Sequence, residues 1–214
     1  MIHHHLPEDR LAAYAAGSAG EADALLVASH LVLCPDCRRR VAEYEALGGV
    51  MLEELPDEAL ADGSLAQTLS RLAEMAPEPP RPPPPAPGPL LLPRPICNLV
   101  GQDMSRLAWR GAGPGFRFHR LPMAGGRAWL LQVAPGRGVP HHGHDGEEMV
   151  MVLAGSYRDG AVRYARGDVQ AVGPETRHQP VAEPGQDCLC LAVIEGRLKF
   201  SNPLSRIFGP LLGF

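Results

Sequence analysis

Between Pro77 and Pro95 the chain reads PEPPRPPPPAPGPLLLPRP, and eleven of those nineteen residues are proline. Proline has no backbone N–H and a fixed φ, so neither a helix interior nor a central strand can form there. A stretch of this kind is a semi-rigid polyproline II spacer that rises about 3.1 Å per residue. From Pro77 to Pro89 it would span on the order of 40 Å. The 214 residues are therefore expected to divide into a first domain at 1–76, a linker at 77–95 and a second domain at 96–214.

Ahead of the linker the pattern is helical. Pro7-Glu8-Asp9 places proline and acids in a first turn, and Leu11, Tyr14 and Ala15 follow at helical spacing. Residues 22–33 predict a second helix. Pro35 disfavours helical geometry at Cys34, so that helix should break there and another begin at Pro35. Val41, Tyr44, Leu47 and Met51 would line this third helix. A last one is expected over about 56–75, weakened by Gly63. After the linker, short apolar or alternating runs at 116–121, 129–133, 149–153, 169–172 and 189–194 are separated by turn signals such as Gly125-Gly126, Asp159-Gly160 and 165–167. That texture predicts an all-β sandwich or barrel. The fold class is multi-domain, α plus β.

Charge separates the same two parts. Residues 1–75 carry 13 acidic and 5 basic side chains, a net of −8, whereas 96–214 carry 10 and 13, a net of +3. An acidic helical part is unsuited to phosphate contacts, so direct nucleic-acid binding is not expected. It suits a basic partner instead. No run of 18 apolar residues exists to span a membrane. The N-terminus lacks the basic and apolar regions of a secretory signal. Five cysteines, an odd number, do not make a disulfide framework, and two close pairs point to metal or redox chemistry in a reducing compartment. The expected location is the cytoplasm.

Two constellations carry chemistry. In GRGVPHHGHDGEEMVMVLAG, His142 and His144 stand at i and i+2, which on an extended segment point to one face, and Glu148 follows beside a strand. Two imidazoles and a carboxylate within seven residues suit Zn, Fe(II), Mn or Ni. This stretch resembles the first cupin motif, Gly-x5-His-x-His-x3,4-Glu-x6-Gly, at Gly136, His142, His144, Glu148 and Gly155. The second cupin motif would begin at Gly167 and bring His178. Its proline, glycine and asparagine are replaced here by Gly173, Glu175 and Ala182. The resemblance implies a C-terminal cupin barrel at 96–214 holding Zn2+ or another divalent transition metal through His142, His144, Glu148 and His178. His141 and Glu147 are expected to point away. Cupins also often pair through sheet edges, which implies a homodimer. Cys188 and Cys190 would share one strand face. They are either oxidisable thiols near the barrel interior or, the favoured reading, small buried hydrophobes.

The other constellation is His30-x3-Cys34-x2-Cys37, three-quarters of a tetrahedral zinc site. The Cys34-Pro35 break would form a knuckle, and among the N-terminal histidines His5, directly before the first helix, is the foremost candidate for a fourth ligand. A closed site of this kind would be structural. With HHLPEDRLAAYAAG, HLVLCPDCR and VPHHGHDGEE in one chain, the sequence resembles the ChrR-type anti-sigma factors, a zinc-binding helical domain joined to a cupin. That resemblance implies zinc at His5, His30, Cys34 and Cys37. It implies a helical domain that sequesters an extracytoplasmic-function sigma factor, and a cupin that answers singlet oxygen or organic hydroperoxide. A regulator is expected rather than an enzyme. The rival expectation is a metal-dependent cupin enzyme such as a dioxygenase, since the same ligand set can activate oxygen or a carbonyl.

Overall fold

The computed structural model describes residues 1–76, 92–101 and 103–200. Most of the proline-rich stretch read as a linker, and the tail from 201, lie outside the described residues.

Four helices precede the proline-rich stretch: α1 (Glu8–Ala15), α2 (Glu21–Leu33), α3 (Pro35–Glu53) and α4 (Ser64–Glu74). Pro7 caps α1, and Glu8 and Asp9 occupy its first turn, where the helix dipole favours negative charge. Cys34 ends α2 in an extended conformation, and Pro35 starts α3. The last helix is shorter than the expected 56–75. It begins only after Gly63, whose φ of 78° breaks any continuation from the N-terminal side. A fifth helix, α5 (Arg94–Val100), starts inside the stretch read as linker and packs against α2 through the buried Ile96.

Twelve strands follow, β1 (Arg110–Gly111), β2 (Phe116–Arg120), β3 (Ala128–Val133), β4 (His142–His144), β5 (Glu148–Ala154), β6 (Ser156–Asp159), β7 (Val162–Ala165), β8 (Val169–Val172), β9 (Arg177–His178), β10 (Val181–Ala182), β11 (Cys188–Ile194) and β12 (Leu198–Phe200). They form a six-stranded sheet in the order β1-β2-β3-β11-β5-β8 and two three-stranded sheets, β10-β6-β7 and β12-β4-β9. All the pairings are antiparallel. Gly155, with φ 71°, turns the chain from β5 into β6, and a Cβ there would lie 2.4 Å from the Asp187 carbonyl oxygen.

Every residue of β11 is buried, because both faces of the large sheet are covered. Side chains alternate along a strand. Leu189, Leu191 and Val193 therefore join Met149, Met151 and Leu153 of β5 in a core shared with Leu11, Leu25, Leu26 and Val41 of the helices. Cys188 and Cys190 face the barrel interior with Val133, Val152 and Tyr157. Trp129, Ala192 and Ile194 pack there with Phe118. The helical part is thus seated directly on the outer face of the sheet. Polar contacts fix its rim. The Arg10 guanidinium reaches Asp23 at 2.9 Å, Glu195 at 3.4 Å and also Glu147. The Glu21 carboxylate accepts from the backbone N–H groups of Ala124 at 2.6 Å and Gly125 at 2.7 Å.

Truncating Leu191, fully buried at this junction, should lower the unfolding free energy by about 2–5 kcal/mol, as for other buried leucines. Urea unfolding followed by tryptophan fluorescence and by circular dichroism should show one shared transition moving to lower urea in Leu191→Ala, since sheet and helices share that core.

Candidate functional site

The structure gathers the sequence-predicted residues into two clusters, His5–His30–Cys34–Cys37 and His142–His144–Glu148–His178. In each, one ligand atom per residue lies within 4.8 Å of all the others. His141 is exposed, and the exposed Glu147 turns to Arg10, so both point away from the second cluster.

In the first cluster the α2–α3 break brings the cysteines together, and the Cys34 sulfur accepts from the Cys37 backbone N–H at 3.4 Å. His30, one turn earlier on α2, sets its Nε2 3.3 Å from the Cys37 Sγ. His5 Nδ1 closes the group at 3.3 Å from Cys34 Sγ and 3.6 Å from Cys37 Sγ. Tetrahedral zinc, with bonds of about 2.0–2.3 Å, would separate its ligand atoms by about 3.3–3.8 Å. The residues fit zinc. Burial holds the His30 imidazole down to about 4, against the pull of the Gly167 carbonyl. Burial likewise pushes the Cys37 thiol up to about 11. A neutral imidazole is ready to ligate, while the thiol must lose a proton to do so.

In the second cluster β4 supplies His142 and His144, β5 begins at Glu148, and β9 ends at His178. β4 and β9 are paired with His142 opposite His178. His178 Nε2 lies 3.1 Å from His142 Nε2 and 3.1 Å from His144 Nε2. Glu148 Oε2 is 3.4 Å from His178 and 3.6 Å from His144. All four residues are buried.

Tautomers decide what those nitrogens present. His142 Nδ1 sits 2.7 Å from the Pro140 carbonyl, which can only accept, so Nδ1 carries the proton and Nε2 presents a lone pair. His178 Nδ1 faces the Asp159 carboxylate at 2.8 Å, with the same consequence when the ring is neutral. Two lone pairs 3.1 Å apart beside a carboxylate require a cation or a proton between them, and a divalent metal fits the donor set. Burial above all, with the neighbouring His178 and His144, lowers the His142 imidazole to about 4, against the pull of Glu148 and the Pro140 carbonyl. Burial also opposes charge on His178, but Glu148 and Asp159 outweigh it and raise that imidazole above its usual value.

Beside this cluster an apolar cavity of about 60 Å³ fills the barrel interior. Phe116, Leu131, Val133 and Tyr157 line it, and His142 and Glu148 stand in its wall. Cys188 and Cys190 also line it, their sulfurs 3.6 Å apart. The thiols are buried and face the interior, as the favoured reading of small buried hydrophobes expects. The hydrogen bond to the neighbouring Cys188 thiol, and burial, push Cys190 well above its usual range.

Sequence reasoning missed the residues behind the ligands. Asp159 was read as a turn former, Gly167 as a turn residue and the start of the second cupin motif, and Gln170 as part of a strand, none of them as a support for a ligand, and Asp168 was not singled out. Asp159 Oδ2 holds His178, and the Gly167 carbonyl holds His30 Nδ1 at 2.9 Å. Asp168 is 2% exposed. Burial opposes its charge, but backbone N–H donors from Ala165, His3 and His4 hold its carboxyl below the usual value. No local pattern marks such partners, because each is distant in sequence from the ligand or chain segment it supports.

Comparison with known proteins bears on the whole chain. Residues 98–198 match the family described as the ChrR Cupin-like domain. The chain is 40% identical to the anti-sigma-E factor ChrR of Cereibacter sphaeroides over 210 residues, 98% of this chain and 97% of that protein. Among solved structures it matches Rhodobacter sphaeroides SigE in complex with the anti-sigma ChrR, at 40% identity and a TM-score of 0.78, covering 91% of this chain and 100% of the matched one. These relatives are regulators and not enzymes, which sets the dioxygenase expectation aside. Helices joined to a cupin barrel, two gathered ligand clusters and near-full-length identity lead to one conclusion: the chain belongs to the ChrR family of anti-sigma factors.

Proposed function

We infer that this chain holds an extracytoplasmic-function sigma factor inactive through its N-terminal helices, and yields it when the cupin part registers singlet oxygen or an organic hydroperoxide. One observation carries the inhibitory half. α4 buries none of its residues, and Leu65, Leu69 and Leu72 stand 70, 56 and 58% exposed. Their spacing puts them on one face. Leu47, Val50 and Met51, in the second half of α3, are exposed as well. An uncovered apolar surface of this kind marks a protein contact, and an amphipathic helix laid into a groove is a recurring way to make one. The relative of known structure was crystallised with SigE, which supplies the partner class. The net of −8 over residues 1–75 suits a protein that presents basic surfaces to DNA. An RNA polymerase subunit as partner places the action in the cytoplasm.

In this reading zinc closes the cluster of His5, His30, Cys34 and Cys37. With four protein ligands and no open position it is structural and contributes to folding. A divalent metal held by His142, His144, Glu148 and His178 would supply a Lewis-acidic centre at the wall of the apolar cavity. The cavity admits a small apolar molecule, and the thiols of Cys188 and Cys190 stand in the same wall.

Three outcomes are expected. Replacing Leu65 and Leu69 together by aspartate should weaken binding of the cognate sigma factor by about 100-fold or more, as for central contact residues. The unfolding midpoint should hardly move, because both are exposed. Calorimetric titration with the purified sigma factor reads this, and unchanged affinity would remove the inhibitory reading. Elemental analysis should find two metal equivalents per chain, one lost in Cys37→Ser and another in His142→Ala. Metal must displace the protons of the raised Cys37 thiol and of the raised His178 imidazole. Affinity at each site should therefore fall as pH falls, by about tenfold per unit for each proton displaced, in chelator competition.

A further inference from the structure

The two ligand clusters come from opposite ends of the chain, yet one short segment touches the supports of both. Residues 165–168 form the turn between β7 and β8. The Gly167 carbonyl accepts from His30 Nδ1 at 2.9 Å. That bond fixes the tautomer and aims the Nε2 lone pair at the position shared with Cys37 Sγ, 3.3 Å away. Asp168 Oδ1 accepts the backbone N–H groups of His3 at 2.7 Å and His4 at 3.0 Å, and Oδ2 accepts that of Ala165 at 2.9 Å. Val169 N–H donates to the His4 carbonyl at 3.0 Å. The residues directly before His5 are thus held on both sides by this turn. Its position is set from below by β5, where Gly167 N–H donates to the Val152 carbonyl and Val152 N–H to the Asp168 carbonyl, at 2.8 and 3.0 Å.

Three residues beyond Gly167, the same strand reaches the other cluster. Gln170 Nε2 donates to Asp159 Oδ2 at 2.6 Å. That same oxygen holds His178 Nδ1 at 2.8 Å. Gln170 Oε1 in turn accepts from the buried Tyr157 hydroxyl at 2.8 Å. The side chain of Gln170 is buried, so it cannot exchange these partners for water without moving the strand. Gly167 has no slack either. Its φ is 93°, and a Cβ there would lie 2.6 Å from Ile2 Cδ1.

We propose that residues 165–170 couple the two metal centres: occupancy of the cupin site holds Asp159, Gln170 and the start of β8, and through Gly167 and Asp168 this sets how tightly zinc is kept by His5, His30, Cys34 and Cys37. Asp159 and Gln170 are positioning residues for His178, and Gly167 and Asp168 are positioning residues for His30 and His5. Outer partners of metal-bound histidines fix ring orientation and raise ligand basicity, and their loss costs about 10–100-fold in metal affinity. Coupling between two binding sites is reciprocal, so zinc at the first site must tighten metal at the second by the same factor. A signal that strips or rearranges the cupin metal would then reach the helical part as a weaker zinc site, through one continuous bonded segment. The inference rests on both clusters being metal sites, as proposed above.

The test uses the full chain and Co2+ as probe, because cobalt–thiolate absorption reports the cysteine-containing site alone. Its affinity is measured with the cupin site filled, and again in Glu148→Gln and His142→Ala, where that site is disabled. Disabling it should weaken the cysteine site about fivefold or more, the lower end of ordinary coupling. In Asp159→Asn and Gln170→Ala the difference between filled and disabled should vanish. Asp168→Ala should weaken the cysteine site about 10–100-fold, and Asp168→Asn, which keeps an acceptor for His3 and His4, should recover part of it. Any variant with an altered circular dichroism spectrum is replaced by its conservative partner in each pair. Two metals in the unsubstituted chain, together with equal cobalt affinity at the cysteine site in all these chains, would overturn the coupling alone. Fewer than two metals in the unsubstituted chain would overturn the metal reading and the coupling with it.

Discussion

The outer face of the six-stranded sheet is the constraint on which the rest of the molecule depends. Met149, Met151 and Leu153 on β5 and Leu189, Leu191 and Val193 on β11 make it apolar. A cupin sheet exposing that row to water would carry an unprotected apolar surface. α1, α2, α3 and α5 cover it, and in doing so they place His30 over the β7–β8 turn and His5 beside it. The helical part buries its own residues in the core it shares with the barrel, so seating on the sheet contributes to its folding, as zinc in the closed four-residue site would.

Alternation within those same strands divides the labour. The odd-numbered positions of β5 and β11 lie toward the helices in Met149, Met151, Leu189 and Leu191, while Glu148, Val150, Cys188 and Cys190 lie toward the interior. One strand therefore contributes both to the junction and to the site. The two centres differ accordingly. The cysteine cluster lies at a helix junction with three of its four candidate residues buried, whereas the cupin cluster stands in the wall of a cavity.

The sequence made the larger features readable for definite reasons. Pro35 broke the α2–α3 helix where C-x2-C needed it. β8 ran from Val169 to Val172 as the apolar run predicted, and β3, β5 and β11 differed from their predicted limits by a residue at one or both ends. Spacing named His30, Cys34, Cys37, His142, His144 and Glu148, His178 came from the cupin resemblance and His5 from its place before the first helix, and the fold gathers all eight. The two- and three-residue strands β9, β10 and β12 were not legible, since so short a run has no period. Helical periodicity marked Val41, Tyr44, Leu47 and Met51 as one apolar face, but only Val41 of these is fully buried. A pattern says that a face is apolar and not what covers it. The unbroken run CLCLAVI in β11 carried the signal of a strand buried on both sides, but not that helices cover its outer face. The supporting roles of Asp159, Asp168 and Gln170 left no trace, because their partners are set by tertiary contact.

The short helix α5 has a consequence of a different kind. The chain leaves the body of the molecule after α3 and is pinned to it again where Ile96 seats against α2. Among the described residues, 54–76 follow α3 with none of them buried, and α4 lies within them. A single protease cut between α3 and α4 would not set the helices free from the barrel, because none of residues 54–76 belongs to their common interior. The nicked molecule would remain one particle on a sizing column while having lost the tether on one side of α4. Inhibitor and sensor would stay together, and the grip alone would be changed.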